Sequence, residues 1–237
     1  MIDQNARPDT LRTGLIETLR ASRATERDVL AALEPADRDA PPADGGWSPK
    51  DVQAHLSAWR ERMAERLRAL RNGIDEPTEV ETDEMNAILH AERAGWSWEQ
   101  IVADADATTD DLVAEIRAAA DETLAVPRIS GLVMGNGSEH TLTHLAPIAA
   151  RSGQESRTLE LAGEITAIID RGGWPSRAAA FARYNLACFH ALGGRLDEAR
   201  SLLRQALPEQ EELRTFAPED DDLVALGAEL PSLTARK

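Results

Sequence analysis

Three of the five histidines in this chain, His55, His140 and His144, fall on apolar stretches with helical periodicity. His140 and His144 stand at i and i+4, so a helix carries both imidazoles on one face, one turn apart. His55 belongs to a separate apolar stripe and has to reach them from a facing helix, the way metal sites inside helical bundles are assembled. Neutral imidazole binds Zn, Ni, Fe, Co or Cu at about 2 Å, and three protein ligands leave positions open for water or substrate. The alternative is that each ring is a hydrogen-bonded core histidine, because an H-x-x-x-H spacing is common on helices that bind nothing. Spacing alone leaves both readings standing.

The elements that must position these rings are all helical. Aromatic residues are 4% of the chain, β-branched runs are scarce, and Ala, Leu, Glu and Arg dominate, which predicts an all-α fold. Leu11, Leu15, Ile16, Leu19, Val29, Leu30 and Leu33 form the stripe of a first helix that starts near Pro8 and ends at Glu34-Pro35. A second helix has a full start signal: Ser48 to cap, Pro49 at the first position and Asp51 in the first turn. Val52, His55, Leu56, Trp59, Met63, Leu67 and Leu70 give it one apolar face, and Asn72-Gly73 closes it. A polar link, 75–81, leads to a short helix over 83–91, and Ser97 with Gln100 reads as a capping box for a third long helix. Pro127 breaks the pattern, 131–137 reads as a flexible glycine-rich lead-in, and a fourth helix begins near Ser138, with Pro147 expected to kink or end it. Four helices in about 150 residues, joined by short links, predict a four-helix bundle.

Composition excludes several function classes. The net charge of −16 repels phosphate backbones, so no nucleic-acid partner is expected. Cys188 is the one cysteine, which rules out an intramolecular disulfide and fits a reducing compartment. Met1-Ile2-Asp3-Gln4-Asn5 has no basic region followed by an apolar stretch, and no run approaches the roughly eighteen apolar residues of a membrane span. The expectation is a cytoplasmic protein with no membrane association.

The segment Trp47-Ser48-Pro49-Lys50-Asp51-Val52-Gln53-Ala54-His55-Leu56 resembles the W-S-x-K-D-x-x-x-H-L signature of the DinB/YfiT-like superfamily. Asp83-Glu84-Met85-Asn86 and Ser97-Trp98-Glu99-Gln100 are similar to features of its ClbS/DfsB branch. Asn136-Gly137-Ser138-Glu139-His140-Thr141-Leu142-Thr143-His144 resembles the last bundle helix of the superfamily, where an H-x-x-x-H pair completes a metal triad. The resemblance covers roughly residues 8–150. It implies a DinB-like four-helix bundle over 1–153 holding a divalent metal (Zn, Ni, Fe or Co) on His55, His140 and His144. It further implies hydrolysis of a small reactive electrophile or thiol S-transfer, with a low-molecular-weight thiol such as mycothiol, in detoxification or natural-product self-resistance. No general base is identified: Asp51 reads as a helix-start residue and Glu139 as a surface residue. Trp47, Trp59 and Asn86 are candidates for a substrate-pocket wall, although the two tryptophans also suit core packing.

After Arg151 the pattern changes. Amphipathic stretches over 159–169, 181–192 and 196–207, the last two around Gly193-Gly194, predict further helices, with a final short one at 223–226. Tyr184-Asn185-Leu186-Ala187, Gly194 and Leu196-Asp197-Glu198-Ala199 resemble one tetratricopeptide (TPR) unit, which implies a TPR-like helical domain over 154–237. Such a unit implies a protein partner, self-association or a purely structural role. His190 and Cys188 read as packing residues there. The alternative for the whole chain is a non-catalytic, small-molecule-binding protein with a TPR-mediated interaction surface.

Overall fold

A computed structural model describes residues 7–43, 45–77 and 81–235. Residues 1–5, where the absence of a leader is read, and residues 78–80 of the 75–81 link lie outside the described residues. The described residues contain helices and turns without a strand, as the composition predicts.

Helix α1 (Pro8–Ala31) starts with proline at a position whose N–H has no intrahelical partner anyway. A single turn, α2 (Pro35–Arg38), follows. Helix α3 (Pro49–Asn72) starts at a reciprocal capping box: the Asp51 N–H donates to Ser48 Oγ at 3.2 Å and the Ser48 N–H to Asp51 Oδ2 at 3.1 Å. It ends at Gly73, whose φ of 65° is the left-handed cap that glycine adopts without a Cβ penalty. Helix α4 (Thr82–Arg93) precedes α5 (Trp98–Ala118), which begins at the Ser97–Gln100 capping box. After a turn, α6 (Asp121–Leu124), helix α7 (Pro127–Met134) runs through one π-helical turn (Gly135–Glu139) into α8 (His140–Arg151).

The fourth bundle helix therefore begins eleven residues before Ser138, and the glycine-rich 131–137 stretch is helical. Pro127 starts it, for the same reason as Pro8, and Ile129, Val133 and Met134 bury a core face that holds the glycines in helix. Pro147 does not end α8. Pro147 and Thr143, four residues earlier, are both exposed, so the Thr143 carbonyl that loses its partner is not stranded in the core.

Helices α1, α3, α5 and α7–α8 pack as a bundle, with α3 against α5 as its most extensive pair. Helix α9 (Glu155–Asp170) lies on α1 and α8, and α10 (Ser176–Leu192) lies on α7 and forms a hairpin with α11 (Leu196–Ala206). The chain closes with α12 (Glu211–Phe216), tight 3-10 turns over Asp221–Glu229 and α13 (Leu230–Thr234). The expected short helix at 223–226 is part of those 3-10 turns, with Leu223 and Leu226 buried. One continuous apolar cluster runs from Leu11 and Leu15 on α1, through Ile165 and Trp174, to Leu203 and Leu223. Gly14 permits that junction: a Cβ there would stand 3.0 Å from the Trp174 ring.

Across the bundle lies a buried polar network. Arg60 on α3, with a fully buried side chain, donates to Glu26 Oε2 on α1 at 2.6 Å and to Thr141 Oγ1 on α8 at 2.9 Å. Arg23 donates to Glu26 Oε1 at 2.8 Å and to Asp106 Oδ1 on α5 at 2.7 Å. Removing one partner of a buried ion pair leaves an uncompensated charge in the core, a loss of about 3–5 kcal/mol. Glu26→Ala leaves the buried Arg60 guanidinium with no carboxylate and Arg23 with Asp106 alone. We expect it to lower the unfolding free energy in urea by about that amount, against less than about 1 kcal/mol for Glu160→Ala in the exposed Arg157–Glu160 pair. Similar losses for the two variants would show that the network carries no special weight.

Candidate metal centre

The capping box sets where α3 begins, and with it the direction His55 faces. His55 is 4% exposed, and its Nε2 lies 2.9 Å from His140 Nε2 across the bundle. His144 sits one turn beyond His140, its ring centroid 4.6 Å from that of His140 and 4.8 Å from that of His55. One nitrogen from each of the three rings falls within 4.8 Å of the others. The rings that the sequence separates by 85 residues thus converge on one point. The π-helical turn supplies the register: it ends at Glu139, so α8 starts with His140.

The rings are uncharged at neutral pH. Burial, then the repulsion that a second proton on the neighbouring imidazoles would meet, pushes His55 down to about 3. Burial, followed by His55, His144 and the Arg60 guanidinium, pushes His140 down to about 2. Burial alone lowers His144. Between His55 Nε2 and His140 Nε2 there is room for one proton, so at least one nitrogen presents a lone pair inward. Three neutral imidazoles with converging nitrogens are the donor set a divalent transition metal takes, and it needs no proton displaced from these rings near neutral pH.

Trp47 and Trp59 flank the triad, with centroids 4.4 and 6.3 Å from that of His55. Trp59 Nε1 donates to Asn86 Oδ1 at 3.0 Å, which brings α4 against α3. All three proposed pocket residues line, together with the histidines, a cavity of about 1100 Å³. Trp47 and Trp59 are also half-buried packing residues. Asp51 is the helix-start residue expected, and it also meets His90 Nε2 at 3.2 Å. His90 in turn stacks on Trp47 with centroids 5.9 Å apart, a placement no spacing in the sequence pointed to.

Glu139 is not a surface residue. It is 8% exposed because the π-helical turn rotates it under α10, where Asn185 Nδ2 donates to its Oε2 at 2.6 Å. Burial pushes its carboxyl up to about 7, and the Asn185 hydrogen bond opposes that rise. The far wall of the cavity is also C-terminal: Tyr184, Asn185, Cys188, Phe216, Asp220 and Asp222 line it. Tyr184 donates to Asp220 Oδ2 at 2.6 Å, and Cys188 Sγ lies 3.7 Å from the same oxygen. His190 is a packing residue, as expected. It is buried, with Nδ1 accepting from Arg195 Nε at 3.0 Å.

Residues 18–151, more than half of the chain, match the model of the DinB superfamily. No curated protein and no solved structure matches the chain.

The surroundings of Cys188 give a chemical test of the C-terminal wall. Burial, then the Asp220 and Asp222 charges, pushes the thiol well above its ordinary range. The protonated form is the one the fold favours, so this group's contribution to stability is present below the ordinary thiol pKa and is lost as pH rises through the raised one. Thiolate fraction falls about tenfold for each unit of upward shift. Iodoacetamide at pH 8 is therefore expected to label native Cys188 at least about tenfold more slowly than the urea-unfolded chain. Equal labelling rates would contradict the shielding described for this wall.

Proposed function

The chain belongs to the DinB superfamily, and from that premise we propose that it is a metal-dependent enzyme acting on a small reactive electrophile, by hydrolysis or by thiol S-transfer. The observation that carries this reading is the convergence of three neutral imidazoles on one point in the wall of a large cavity. His55, His140 and His144 would hold the ion, one of Zn, Ni, Fe or Co by the chemistry of an all-imidazole donor set. With three ligands from the protein, a bound divalent ion keeps positions open and lowers the pKa of a water or thiol placed there.

The remaining work belongs to the chain's own side chains. Arg60, held by Glu26 and Thr141 beneath the site, disfavours a proton on His140 and so keeps its lone pair available. Trp47 and Trp59 shield the triad from bulk water, and the Trp59–Asn86 hydrogen bond fixes the orientation of the indole. Cys188 stays protonated in its acidic surroundings and is unsuited to act as the nucleophile. In the S-transfer version the thiol therefore comes from outside, as a low-molecular-weight thiol such as mycothiol. The similarity of the 83–86 and 97–100 segments to the ClbS/DfsB branch supports natural-product self-resistance as the setting. No helix among the described residues is long and apolar enough to cross a membrane, and with a net charge of −16 this supports a cytoplasmic setting. A cavity of this size also supports a second reading, a small-molecule-binding protein without turnover whose TPR-like α10–α11 hairpin docks a partner.

Purified full-length chain is expected to contain about one divalent metal ion per molecule, and His55→Ala or His140→Ala to weaken metal binding at least about tenfold. Conjugation of a thiol to 1-chloro-2,4-dinitrobenzene, monitored by absorbance, should be lost on chelation and restored by metal. Stoichiometric metal without turnover selects the binding reading. A chain that takes up no metal overturns the site assignment.

A further inference from the structure

The cavity beside the triad has a second wall whose chemistry the histidines and tryptophans do not explain. Two consecutive residues of α10 each hold a carboxylate there, Tyr184 donating to Asp220 and Asn185 to Glu139, both at 2.6 Å. The two acids therefore flank a single turn of one helix. Glu139 lines the cavity, is 8% exposed, and its Oε1 has no hydrogen-bond partner. A buried carboxyl oxygen in that state is costly until a donor reaches it. Asp222, at an exposed position, adds negative charge beside Asp220, and partial desolvation followed by repulsion from Asp220 and Asp221 pushes its carboxyl up.

No guanidinium or ammonium pairs with Glu139, Asp220 or Asp222 among the described residues. The cationic side chain in this lining, Arg195, is engaged elsewhere: its Nε donates to His190 Nδ1 and its guanidinium lies 5.0 Å from the Phe189 ring centroid. Phe216, 55% exposed, also lines the cavity and offers an aromatic face at its mouth. Carboxylates without counter-ions, set among aromatic rings, attract an organic cation by charge and by the ring quadrupoles. A neutral or anionic group gains nothing comparable there. The cavity is thus polarised, with lone pairs for a metal at one end and acids for a cation at the other.

We propose that the C-terminal helices form the specificity wall of this cavity and that its ligand is a small organic molecule bearing a protonated amine. The ammonium pairs with the Asp220 and Asp222 carboxylates, Glu139 Oε1 offers it a further acceptor on the same wall, and the rest of the molecule extends toward the histidines. This rests on the enzyme reading only for the chemistry at the histidine end. The amine site itself is formed by the chain whether or not metal is bound.

The test compares 2-phenylethylamine, neutral 2-phenylethanol and anionic 3-phenylpropanoate by NMR titration of full-length chain at pH 7, metal-free and zinc-loaded, with zinc content measured separately. The metal-free arm separates ammonium binding from coordination of the amine to zinc. The amine is expected to bind at least about tenfold more tightly than the alcohol and the acid in both states, with the preference shrinking at high salt. Asp222→Asn, at an exposed position, should weaken the amine severalfold and leave the alcohol unchanged, and Glu139→Gln should do the same. If the three probes bind alike, or if both variants leave the preference intact, the proposal is overturned. Loss of zinc with the amine preference retained refutes the metal reading alone, and zinc bound without an amine preference refutes this inference alone.

Discussion

The buried Arg60–Glu26 ion pair is the constraint on which the rest of the bundle depends. Its two charges lie on different helices, and neither side chain has any exposed surface. Each can remain in the core only if the other stays within hydrogen-bond distance, which fixes α1 against α3. Thr141 brings α8 into the same network, and Arg23 with Asp106 brings in α5. A pair of this kind adds little net stability over a well-packed apolar core, but it penalises every arrangement in which the partners separate. Its neighbours along the chain are the converging histidines: Arg60 is five residues beyond His55, and Thr141 follows His140. The register that satisfies the ion pair is the one that brings the histidines together.

The same network acts on the site electrostatically. A guanidinium near His140 and burial around all three rings both disfavour imidazolium, so the triad presents lone pairs at neutral pH. Proton competition, the usual obstacle to metal binding by histidine, is small here. The π-helical turn contributes in a different way. One widened turn rotates α8 relative to α7, and the rotation places His140 toward α3 and Glu139 toward α10. Neighbouring residues are thereby committed to opposite ends of the cavity.

The C-terminal helices share the apolar core of α1 and carry half of the cavity lining. Small residues on α10, Ala179, Ala180 and Ala187, let that helix approach its neighbours closely, and its Tyr184–Cys188 face looks into the cavity. A hairpin that the sequence suggests as a docking element is therefore also a wall of the pocket, whatever else it contacts.

Much of the fold was readable without coordinates. Apolar residues at helical spacing, the Ser48 and Ser97 caps and Gly73 mark helix faces and ends by rules that act within one turn, and those rules hold here. The triad was readable for a similar reason: His140 and His144 share a face by local geometry, and the Trp47-to-Leu56 motif identified the partner. Pro127 and the 131–137 glycines look like a break in the sequence because a proline at a helix start and one inside a helix look alike there, and only core burial on Ile129 and Val133 decides between them. Glu139 looks like a surface residue in the sequence because the π-helical turn that buries it leaves no periodic signature. Asp220 and Cys188 were unreadable as a pair, since their meeting depends on how the last turns of the chain fold back over α10. The sequence by itself determined most helix faces and caps and the shared face of His140 and His144, because these follow from interactions within a few residues. Only the tertiary structure decided that His55 joins them and what faces the triad across the cavity, because those contacts depend on packing between segments remote in the chain.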